Sequence, residues 1–145
     1  MAKKEKKKWS TRKKVIVSVA GAVVAVGVIG GAMVLPGMLE YQRIISEIEI
    51  RTPDMTKIGD GTYNGFFDAI EISADVDVTV KDHRITDIVI NNHYYGYDKA
   101  PAAEAIIVDV VDKQSLEVDT VSGATNSSNV ILSAIQVALE SGINE

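Results

Sequence analysis

Val15–Leu35 runs for twenty-one residues without a charge, and no other stretch so narrows what this chain can fold into. Only Ser18 interrupts a succession of Val, Ile, Ala, Gly, Met and Leu. At about 1.5 Å per residue a helix of this length reaches roughly 30 Å, the thickness of a bilayer's hydrocarbon core. The run predicts a single transmembrane helix over 15–35. Ahead of it, residues 1–14 hold eight Lys/Arg against one acid, Glu5. Basic residues stay on the cytoplasmic side, so the tail at 1–14 is expected inside and everything after the span outside. A cleaved signal peptide is the competing reading, with Gly30-Gly31-Ala32 as its small-residue site. Its apolar region would exceed the usual length of about 7–15 residues, which favours the anchor. Gly27 and Gly31 also form a small-xxx-small pair of the kind that lets two membrane helices approach.

The formal net charge of -5 hides a division, because a tail at +7 leaves -12 for the remainder. An acidic body repels phosphates and argues against nucleic acid as a partner. The chain has no cysteine, which excludes thiol catalysis, disulfides, lipoprotein acylation and thiolate ligation of an iron–sulfur cluster. Redox work in such a chain needs an added organic cofactor.

Pro36-Gly37 marks the expected membrane exit, and 36–57 reads as a stalk or a short helix packed on the domain. Ile44, Ile45 and Ile48 fall on one helical face there, with Glu40, Arg43 and Glu47 free to face water. The remaining domain, 58–145, opens on Asp60-Gly61 and Asn64-Gly65, turn signals flanking a short strand at Thr62-Tyr63. From Asp75 to Lys81 the residues alternate, with Val76, Val78 and Val80 on one face, which is the pattern of a half-buried strand. Ile85, Ile88, Val89 and Ile90 supply the next strand across a turn at Asp82-His83, so an antiparallel hairpin is expected. His83 reads as a turn residue in a left-handed conformation rather than a ligand. Asp98 is placed to cap a second helix, with Pro101 in its first turn and Ala103, Ile106, Ile107, Val110 and Val111 along one side. Leu116–Thr120 is a connector into a loop rich in Ser, Gly and Asn. A last helix follows, with Ile131, Ala134, Ile135 and Ala138 as its buried face. The expected class is α+β: a small antiparallel sheet with helices on one face, preceded by one N-terminal transmembrane helix.

Thr125 sits in that loop, just ahead of the last helix. Gly123 permits a turn that a Cβ would resist. A helix N-terminus offers unpaired N–H groups and a positive dipole end, both favourable to phosphate. Thr125, Ser127 or Ser128 as a plain helix cap is the other reading of the same residues.

Asp119-Thr120-Val121-Ser122-Gly123-Ala124-Thr125 resembles the flavinylation signature Asp-x-x-Ser/Thr-Gly-Ala-Thr of the FMN-binding domain family, with every specified position met. Flavin-carrying subunits of sodium-pumping NADH:quinone oxidoreductase and of the related ferredoxin-linked membrane complex contain such a domain. Asp60–Gly65 resembles the family's opening turn, Val78–Asp82 with Ile85–Ile88 its central hairpin, and Asn92-His93 the strand end that follows. His83 stands where the family usually has Gly. The resemblance spans about Ile58 to Ile143. It implies that a flavin transferase moves FMN from FAD onto the hydroxyl of Thr125, and that Asp119 serves transferase recognition or its metal-assisted chemistry. Ser122, Gly123 and Ala124 would shape the acceptor loop, with Asn126 and Ser127 at the phosphate.

His93, Tyr94, Tyr95, Gly96 and Tyr97 form the densest polar-aromatic patch in the sequence. Tyr95 and Tyr97 offer flat faces to a flavin ring and His93 a hydrogen bond to its edge, or all three pack the end of the sheet. Neither a metal site nor a Gly-x-Ser-x-Gly hydrolase fits, since ligand spacing and nucleophile context are both lacking. The function expected is a membrane-anchored extracytoplasmic electron carrier with covalent FMN. It would act with a flavin transferase and with quinone-linked or flavin-containing membrane partners. The alternatives are a tethered module binding FMN or another ligand non-covalently for sensing or scavenging, and a flavin-free interaction domain.

Overall fold

The computed structural model describes residues 10–95 and 100–143. The chain divides into two compact units, Met1–Leu39 and Glu40–Glu145. Helix α1 (Thr11–Glu47) begins in the first and ends in the second. Its apolar stretch is bare, with Val26 at 72% and Met33 at 79% exposure. The length and hydropathy of this uncovered helix fit a single-pass membrane anchor. The expected span and the start of the segment read as a stalk or short helix form one helix, which continues through Pro36 to Glu47. Proline removes one hydrogen bond to the preceding turn, and the flanking turns keep the helical path.

The second unit is built on a three-stranded antiparallel sheet in the order β1-β2-β3, with β1 at Gly61–Asp68, β2 at Ile72–Lys81 and β3 at Arg84–Tyr95. The expected alternation is present in β2, where Ile72, Ala74, Val76, Val78 and Val80 are buried and the residues between them are half-exposed. Asp82 and His83 both have positive φ, at 50° and 59°, which is the backbone twist a tight hairpin needs. His83 is thus a turn residue, and its Nδ1 lies 3.2 Å from the carbonyls of Met55 and Ile58.

Asn64-Gly65 is not a turn; it lies in the middle of β1, paired with Asp77 and Val76. Gly65 is there for packing. An added Cβ would lie 2.1 Å from the Ala134 carbonyl oxygen and 2.6 Å from the Ala138 amide nitrogen, so only glycine admits helix α4 (Thr125–Ser141) this close.

The second helix expected from the sequence is broken into α2 (Ala100–Ala103) and α3 (Ile106–Lys113). Asp98, its expected cap, lies outside the described residues, and Leu116–Thr120 is a connector without a strand. Helix α4 packs on β1 and β2, while α3 packs on β3. α4 is also more deeply set than a one-faced amphipathic helix, because Val130–Ile135 are all buried. Helix α2 contacts α4 as well, and the segment that ends α1 adds to the core. Tyr41, Ile44, Ile45, Ile48 and Ile50 pack against the core, and Arg51 N donates to Gln136 Oε1 at 3.0 Å. Outward, the Arg43 guanidinium bonds both Glu40 and Glu47. This holds the Glu40 carboxyl below its ordinary range, first through the hydrogen bond.

Candidate functional site

The Asp119–Ser127 segment makes a tight turn before α4. Ala124 N donates to the Val121 carbonyl at 2.9 Å, Gly123 adopts φ 80°, and Ser128 Oγ accepts from Val121 N at 3.1 Å. A side chain on residue 123 would be strained at that φ, which accounts for the glycine. Buried Ser128 ties the loop from below, and buried Ala124 plugs it into the core. The result is a stiff bend whose outer surface is Asp119, Ser122, Gly123 and Thr125, all exposed. Asn126 is half-buried, and Ser127 is buried.

The cap reading fails for Thr125. It is the first helical residue, the N-cap is Ala124, and that cap supplies no side-chain hydrogen bond. A helix N-terminus presents backbone N–H groups and the positive end of its dipole, both favourable to an anion. Thr125 therefore puts an accessible hydroxyl at the place in α4 best suited to phosphate. Asn126 Nδ2 donates to the Tyr41 hydroxyl at 2.9 Å, a contact across 85 positions that no local pattern marks.

The aromatic cluster is formed in part. His93 lies on the helix-facing side of β3, across from buried Ala74. Its side chain is 1% exposed, and its Nδ1 is 3.2 Å from Glu104 Oε1. Nε2 is buried and has no hydrogen-bond partner among the described residues. Tyr95 tilts against the His93 ring at 5.5 Å between centroids and remains 41% exposed. Tyr97 lies outside the described residues.

Both groups occupy one end of the sheet. Gly65 sits at Ala134 and Ala138, and Ile58 bridges to Ile143, so α4 runs back toward its N-terminus as β1 runs toward Asp68. Nine helical residues from Ala134 to Thr125 span about 13 Å, and three strand residues from Gly65 to Asp68 about 10 Å. Asp68 pairs with Ser73 and Ser73 with Tyr94, so the Thr125 bend and the His93–Tyr95 pair share that end. The recess between β3 and α3, lined by Thr86, Ile88, Ile107 and Val111 among others, contains none of these residues.

A model of the FMN-binding domain matches residues 61–140, more than half of the chain. The chain therefore belongs to the FMN-binding domain family, as an FMN-binding module with an N-terminal apolar helix fit to anchor it in a membrane. No curated protein matches it, and neither does any solved structure.

The residues present suit FMN. The N-terminus of α4, with Thr125 exposed on it, suits its phosphate. The orphaned Nε2 of His93 is a buried polar atom of the kind that is ordinarily satisfied, beside an aromatic face.

Proposed function

We propose that this protein is a membrane-anchored flavoprotein that carries FMN covalently, as a phosphoester on Thr125, and works in electron transfer on the extracytoplasmic side of a cell membrane. The observation that supports this most directly is an exposed Thr125 at the first position of a helix whose N-cap residue is Ala124. In loading by a flavin transferase, the Thr125 hydroxyl gives up its proton and its oxygen bonds to phosphorus. The pyrophosphate link of FAD breaks and AMP leaves. The α4 amides and dipole favour the negative charge that remains. Ser122, Gly123 and Ala124 hold the bend open to the transferase, Asn126 and Ser127 flank the phosphate, and exposed Asp119 is assigned to recognition.

FMN supplies the redox chemistry when bound; the chain supplies placement and tuning. His93, Tyr95 and Tyr97 are the side chains assigned to the ring, with His93 held through Glu104. Membrane partners that are quinone-linked or flavin-containing would exchange electrons with it. The basic tail before the span supports an outward orientation of the domain.

Co-expression of the full chain with a flavin transferase and measurement of intact mass test this. An FMN-sized addition is expected on the wild type, fluorescent on a denaturing gel and absent in Thr125→Val. No addition on the wild type, or its persistence in the variant, rejects the covalent assignment.

A further inference from the structure

Tyr41 lies twenty residues before the part of the chain that matches the family, yet it reaches the acceptor turn. Its hydroxyl is bonded to Asn126, the residue next to Thr125. Asn126 follows Thr125 in the first turn of α4, so the Tyr41–Asn126 pair lies at the same helix N-terminus as the acceptor hydroxyl. Between them the two side chains own two amide N–H groups and one O–H, and a single one is spent on their mutual bond. Neither makes another hydrogen bond among the described residues. Whichever way the Asn126 amide is turned, donors are left over. Packing of Tyr41, Ile44, Ile45 and Ile48 against the core holds the phenol at its station without help from Asn126.

We propose that Tyr41 is a phosphate-binding residue of this site, its hydroxyl and the Asn126 amide together forming a side-chain clamp for the anion carried on Thr125. The clamp rests on the reading that Thr125 is esterified, and adds to the backbone N–H groups a part of the site that the family match does not include. A donor already engaged with a polar neighbour is polarised, and bonds to a charged oxygen are the stronger class. The chain leaving the membrane span thereby becomes part of the cofactor site.

The test uses the full chain with a flavin transferase and FAD, comparing wild type, Tyr41→Phe, Asn126→Ala and the double variant. Tyr41→Phe keeps the ring and its packing, so the thermal midpoint should fall by no more than the few degrees that one lost hydrogen bond costs. Its loading rate, read by intact mass, should fall about tenfold, the effect of one hydrogen bond to a charged group. The phosphorus NMR resonance of the loaded protein should shift, and the double variant should be little slower than the worse single one, because the pair acts as a unit. Loading of Tyr41→Phe at the wild-type rate, or an unmoved phosphorus resonance, overturns the clamp while leaving Thr125 as the acceptor. An adduct that survives Thr125→Val removes the acceptor itself, and the clamp with it.

Discussion

Replacing Gly65 by alanine puts the packing of α4 on β1 to a quantitative test. The new Cβ would lie 2.1 Å from the Ala134 carbonyl oxygen, 2.6 Å from the Ala138 nitrogen and 2.8 Å from the Ala138 Cβ. The first two are main-chain atoms of a helix and do not swing aside as a side-chain tip does. To restore a contact near 3.4 Å the helix must retreat by about 1.3 Å from the sheet. That retreat loosens Ile131, Ala134, Ile135 and Ala138 together, all of which are fully buried. Overpacking of a tight core costs about 1–3 kcal/mol, and a rigid backbone neighbour places this case at the upper end. For a unit of this size about 3 kcal/mol lowers the thermal midpoint by roughly 12 °C or more. Gly61→Ala is the internal control. Its Cβ would meet only the Tyr63 ring, at 3.3 Å, which can give way. Near-UV circular dichroism of the full chain in detergent micelles reads the melt through the tyrosines of the domain. A Gly65→Ala midpoint within about 3 °C of wild type would refute the argument that only glycine fits.

Two further outcomes follow from the same packing and from the surface charges. A chain begun at Ile58 loses Tyr41, Ile44, Ile45, Ile48 and Ile50 from the core and should unfold without a cooperative transition, whereas one begun at Glu40 should melt as a unit; calorimetry of the two compares them. Asp77 is held below its ordinary value of 3.8, first by the Asn64 side-chain hydrogen bond and then by Asn91, and Asp54 likewise by Thr56. A depressed folded value means stability that is present above 3.8 and lost as pH falls through the lower value. Denaturant midpoints should therefore drop on acidification below about pH 4, and less steeply in Asp77→Asn.

Much of the domain could be read from local pattern. The alternation around Val76, Val78 and Val80 fixed a strand with one buried face, and Asp82-His83 marked its turn, because a two-residue period and a tight reversal are properties of neighbours along the chain. Asn64-Gly65 misled for the opposite reason. The dipeptide is a turn signal only when nothing distant claims the glycine, and α4, some seventy residues later, does. The single face assigned to α4 fell short in the same way. Periodicity along a helix reports one neighbour well, and Val130–Ile135 are covered on more than one side.

What the sequence determined alone was the apolar span, the acidic body, the strand–turn–strand core and a threonine placed where a helix begins, since each depends on composition or on spacing of a few residues. What only the tertiary structure decided was that Ala124 and not Thr125 takes the N-cap position, that Thr125 remains exposed while Ala124 beside it is buried, and that a His93 ring nitrogen is left unpaired among the described residues. It also brought Tyr41 to Asn126 across 85 positions of chain. Those facts depend on which distant surfaces meet. Burial and hydrogen-bond satisfaction are settled by packing among all the elements at once, and no local pattern encodes them.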